Sequence, residues 1–148
     1  MMKQLSSKAP TAARFLFGTI FFVFGLNGFL GFLPQPTPPE AAGAFLGALA
    51  ATGYMFPLIK LTEVLAGLLL LTNRFVPLAL VVLAPVVVNI FAYHAVLDPS
   101  MGMAIALVVI HVYLGWSYRS SFRGLLAARA EVTQPEARPA LTRQPVGA

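Results

Sequence analysis

The chain has 148 residues, of which 58% are hydrophobic and 10% charged, with a formal net charge of +5 and no cysteine. So few charges beside a mean hydropathy of +0.81 set it apart from soluble globular domains and match a polytopic membrane protein. Without cysteine the chain supplies no disulfide, no CxxC thiol exchange, no thiolate metal site and no iron–sulfur ligand, and its basic residues form no dense aromatic-interleaved run that would point to nucleic acid.

Residues 1–13 are a basic amino-terminal stretch containing Lys3 and Lys8, and an apolar run of about twenty residues follows, long enough to cross a bilayer. No small-x-small cleavage site accompanies it, so residues 14–33 are expected to be an uncleaved first transmembrane helix. It holds one amide, Asn27, and glycines at 18, 25, 28 and 31 that allow a neighbouring helix to come close. The Pro34 to Glu40 segment carries four prolines and must be a loop. Residues 41–53 are too short to span. With Phe45, Leu46 and Leu49 on one side, they predict a short interfacial or re-entrant helix, or core filler.

The second span is expected over about 54–72 and the third over about 75–97, joined only by Asn73-Arg74, which forces an antiparallel hairpin. Pro77 falls in the first turn of the third helix, where a missing N–H matters little. Pro85 is internal and should kink the helix and free a carbonyl. Asp98-Pro99-Ser100 is a turn. The fourth span, about 101–118, ends on Trp116 and Tyr118, where an aromatic belt would lie. Residues 121–148 are basic and rich in proline and alanine, a composition that cannot bury a core and reads as a largely disordered tail. The predicted fold class is therefore all-α, a four-transmembrane-helix bundle occupying residues 14–120.

Lys and Arg number three before residue 15, one in the Asn73-Arg74 turn and five from Arg119 onward, while the two intervening loops have none. The positive-inside rule then puts both termini and Arg74 in the cytoplasm, and the Pro-rich loop and Asp98 outside.

Lys60 and Glu63 are the residues most in need of a reason. Three apart on a helix, they share a face and can pair; either one alone at the centre of a span costs about 2.5 to 3.5 kcal/mol, so the pair should face protein or water. Counting about 1.5 Å per residue from the cytoplasmic ends places Asn27, Lys60 and Asn89 near 18 to 20 Å, and Glu63 and His111 near 12 to 13 Å. An intramembrane polar cluster of Asn27, Lys60, Glu63, Asn89 and His111 is the expectation, with Lys60, Glu63 and His111 the candidates for chemistry. Against it stand simpler roles: Lys60 snorkelling outward, Asn27 and Asn89 as interhelical glue, His111 as a satisfied core residue. His94 and Asp98, four apart, should form an outer interfacial pair. No metal site is expected, nor a bis-histidine haem, because His94 and His111 differ in depth by about 15 Å.

The motifs Phe22-x-Phe24-Gly25-x-Asn27-Gly28, Lys60-x-x-Glu63-Val-x-x-Gly67-Leu-Leu-Leu-Leu, Arg74-Phe75-x-Pro77-Leu-Ala-Leu, Pro85-x-x-x-Asn89 and His94-x-x-x-Asp98-Pro99 together resemble the DoxX family of small bacterial membrane proteins. The resemblance covers about residues 12–125. It implies a four-helix bundle of the bacterial inner membrane, associated with thiosulfate and quinone-linked oxidation or with membrane complexes that resist oxidative stress. A quinone is the cofactor so implied, and redox or other membrane proteins, or further copies of the chain, are the implied partners beside the lipid bilayer. Three functions compete: a redox- or quinone-associated subunit, a structural or assembly protein without chemistry of its own, and a small proton-coupled transporter, which with four helices would need an oligomer to enclose a path.

Overall fold

The computed structural model describes residues 2–34 and 36–125, with side chains from Lys8 onward. Among them are five α-helices and no strand: α1 (Met2–Leu30), α2 (Glu40–Ala51), α3 (Met55–Leu71), α4 (Val76–Val96) and α5 (Met101–Ser117), followed by a 3-10 turn at Arg119–Phe122. Neighbours pack in a closed ring, α1 on α3, α3 on α4, α4 on α5 and α5 back on α1, with α2 touching α3. Two helices, α1 from Lys8 and α4, are long and apolar enough to cross a membrane; α2 and α3 together make a third candidate, bent by 92° at its break, and α5 is a shorter apolar helix. The outer surface is correspondingly apolar, with Leu61, Leu65, Val88, Val109 and Val112 all exposed, as expected when hydrocarbon is the solvent.

Several element boundaries differ from expectation, each for a local reason. The first helix begins at Met2, so the basic stretch is helical and continuous with the apolar run. It ends at Leu30 rather than Leu33, because Gly31 takes a left-handed φ of 59° and its N–H bonds Asn27 O at 2.9 Å. The short helix before the second span is α2. Its break from α3 is held by Thr52, whose hydroxyl donates to Leu49 O at 2.7 Å and accepts from Met55 N–H at 3.0 Å.

The α3–α4 hairpin forms, but its connection is the four residues 72–75 rather than Asn73-Arg74 alone, because α3 closes at Leu71 and α4 starts at Val76. Asn73 is left-handed at φ 56°, Asn73 N–H bonds Leu70 O and Arg74 N–H bonds Leu69 O, which together close α3 as a Schellman motif. The fourth helix runs as one element through Pro85, which deprives the Val81 carbonyl of its helical donor. Most of the expected tail lies beyond residue 125, outside the described residues.

The core occupies the end of the ring near this hairpin. Phe17, Phe21, Ala66, Leu70, Ala79, Leu80, Leu83, Leu107 and Leu114 are buried together, with Phe17 edge-on to Phe21 at 4.8 Å. The closest helix pair is α1 with α3. A Cβ on Gly67 would lie 2.6 Å from Phe22 N, so only glycine lets the two backbones meet there.

Candidate functional site

Lys60 and Glu63 face α1 from the first half of α3. Lys60 Nζ lies 2.8 Å from Glu63 Oε2, the hydrogen-bonded ion pair that their spacing predicts. Glu63 is only 4% exposed, whereas the Lys60 side chain keeps 20% of its surface open. The pair fits because α1 is bare where it passes: a Cβ on Gly28 would collide with the Lys60 stem, and one on Gly25 would lie 3.0 Å from Glu63 Cβ. The ammonium also sits 5.6 Å from the centroid of the Phe56 ring. A carboxylate shielded from solvent, held by one flexible cation with donors to spare, can bind a polar ligand group and exchange a proton with it.

The other expected members of the cluster are dispersed. Asn27 is buried beside this region, but its Oδ1 accepts Leu33 N–H at 2.6 Å, so its acceptor serves the turn that ends α1. Asn89 is exposed on the outer face of α4, and its amide donates to Pro85 O on its own helix at 2.9 Å. His111 stacks at a tilt on Phe17, centroids 5.7 Å apart, and its Nδ1 is buried without a hydrogen bond. Gly25 is the α1 residue opposite Glu63 and Phe17 the one opposite His111, so along that helix the two levels differ by about 12 Å. The shared depth expected for Glu63 and His111 therefore does not hold, because His111 meets α1 at Phe17, about two turns nearer its amino end than Gly25.

At the opposite end of the ring, His94 and Asp98 meet as expected, Nδ1 to Oδ2 at 3.5 Å, and the Ser100 hydroxyl joins them, donating to Asp98 Oδ1 at 2.9 Å with His94 Nδ1 at 3.2 Å. The Phe45 ring of α2 approaches Tyr93 beside this pair. No group of three or more His, Asp or Glu side chains among the described residues could hold a metal ion.

Arg14, one of the three basic residues at the amino end, is a second buried charge. It is 4% exposed, and its guanidinium donates to Leu70 O and reaches Leu71 O at 3.4 Å, clamping the carbonyl end of α3 to α1. A signal for it existed: a lone arginine entering an apolar run, at the level where a neighbouring helix ends and offers free carbonyls to a cation. Arg14→Ala should lower stability by about 2 to 3 kcal/mol, the worth of charge-assisted bonds from a buried guanidinium to the carbonyl end of a helix, and Arg14→Lys should recover only part of it because the planar fork is lost. Thermal unfolding of the detergent-solubilised chain measures both.

No family model, no curated protein and no solved structure matches the chain.

Proposed function

We propose that this chain is a four-span protein of the bacterial inner membrane and serves as a redox- or quinone-associated subunit of a membrane complex, with Lys60 and Glu63 as its working centre. The observation that carries the reading is a carboxylate at 4% exposure, inside an apolar helix, whose one ion-pair partner is itself partly open. Structural needs alone seldom retain such a pair, since an apolar pair of similar volume is often as stable or more so. The motif resemblance supplies the redox association. Helices α3 and α5, at 17 residues each, reach the lower end of what a span requires, which supports reading α1, α3, α4 and α5 as the four spans with α2 at the outer interface.

The residues fit a quinone head group. Lys60 gives one of its three donors to Glu63, its side chain is one-fifth exposed, and Phe56 offers a flat apolar wall beside it. A bound quinone would supply two-electron, two-proton redox chemistry. Toward it Lys60 would donate to a carbonyl oxygen, and Glu63 would hold the ammonium in place and keep a proton within reach. His111 lies a different layer away and stays outside this arrangement.

One observation favours the assembly reading instead: Asn27 and Asn89 both satisfy backbone groups of their own segments. Purification of the tagged full chain from its native membrane separates the two. Quinone and an oxidoreductase partner co-purifying with the native chain, and the quinone lost from Glu63→Gln, is the expected result; native chain without either leaves assembly as the function. For topology, a reporter fused after Ser100 should score outside the cytoplasm and one fused after Arg74 inside, following the nine basic residues confined to alternate segments. A cytoplasmic score after Ser100 would overturn the orientation.

A further inference from the structure

The hairpin end of the ring carries a polar feature that the proposed centre does not use. Where α5 ends, Ser117, Arg119, Ser120 and Arg123 line an open cup of about 480 Å³. We propose that this cup binds the phosphate of one anionic phospholipid head group; the proposal rests on the bilayer reading and is independent of any quinone.

Three observations support it. The cup is anchored, because Tyr118 and Phe122, which flank its residues in sequence, pack against the buried core. Arg119 is pre-positioned: its Nη1 donates to Trp116 O at 3.0 Å and its guanidinium lies over the Trp116 ring, 4.9 Å from the centroid. That indole is 69% exposed, so the arginine is held where an aromatic side chain meets the lipid interface. The local charge is also of one sign. Arg74 in the hairpin turn lies at the same end, while among the described residues the acidic side chains are Glu40 and Asp98 at the other end and Glu63, bound to Lys60. Neither Arg123 nor the Ser120 hydroxyl has a side-chain partner among the described residues. With the remaining N–H groups of Arg119, they form a set of donors with no acceptor, matched to a phosphodiester.

Native mass spectrometry of the full chain in detergent, titrated with phosphatidylglycerol, with phosphatidylcholine and separately with inorganic phosphate, tests the site. The expected result is one retained phosphatidylglycerol, preferred at least tenfold over phosphatidylcholine. Arg123→Gln should weaken that preference several-fold, and Arg119→Gln with Arg123→Gln should abolish it. Arg74→Gln, at the same end but outside the cup, should keep it. Among the described residues Arg123 makes no side-chain bond, so its single variant reports on binding even if loss of Arg119 disturbs the turn. Three outcomes would each overturn the proposal: an undiminished preference in the double variant, an equal loss in Arg74→Gln, or retention of inorganic phosphate with the same dependence on Arg119 and Arg123.

Discussion

Glu63→Gln is expected to abolish function while leaving membrane insertion and abundance near normal. The amide keeps the shape of the carboxylate and one acceptor oxygen for Lys60 but carries neither charge nor an exchangeable acid proton. Lys60, left without its counter-charge, is 20% exposed in its side chain and has a stem long enough to carry the ammonium toward the interface, so the variant should still fold. Lys60→Met should likewise be mild in stability, because a lone carboxyl group can occupy an apolar site in its neutral form. If the pair serves packing alone, the pattern inverts. Each single change then acts through stability, and the double change Lys60→Met with Glu63→Gln restores activity, because no charge remains unpaired. Measuring membrane abundance and oxidant survival of a deletion strain for all four genotypes decides between them; full rescue by the double variant would leave a structural bundle.

Gly67→Ala should be the most damaging small substitution in the chain. Its methyl group would meet three backbone atoms of α1: Phe22 N at 2.6 Å, Gly18 O at 2.9 Å and Phe22 Cα at 2.9 Å. No rotamer change relieves a clash with backbone, so α1 and α3 must separate. That separation pulls Arg14 from the carbonyls of Leu70 and Leu71 and loosens the packing of Lys60 and Glu63 against Gly28 and Gly25. A loss of about 3 kcal/mol or more is expected, at or above the upper end for overpacking. Gly115 in α5 is the control, since a Cβ there meets nothing within 4 Å. Gly115→Ala should be neutral or stabilising by up to about 1 kcal/mol through helix propensity. A large loss for Gly67→Ala with none for Gly115→Ala in thermal unfolding is the expected outcome, and equal small effects would mean that α1 and α3 do not pack this closely.

The all-helical class, the α3–α4 hairpin, the Lys60–Glu63 pair and the His94–Asp98 pair were determined by the sequence alone. Each depends on spacing within one helix or across a short turn, and helical geometry fixes such relations without knowledge of neighbours. Long-range placement was not determined in this way. Whether Asn89 points inward is a matter of helix rotation, and an almost uniformly apolar helix such as α4 shows no polar stripe from which rotation can be read. The level of His111 depended on how far α5 slides along α1, which is set by Phe17 and Leu114 fitting into one core. Arg14 became a buried clamp only because α3 happens to end beside it. Relations within a helix follow from the chain's own period, whereas rotation, axial offset and the meeting of one helix's end with another's side chain are decided by close packing between helices, which only the tertiary structure displays.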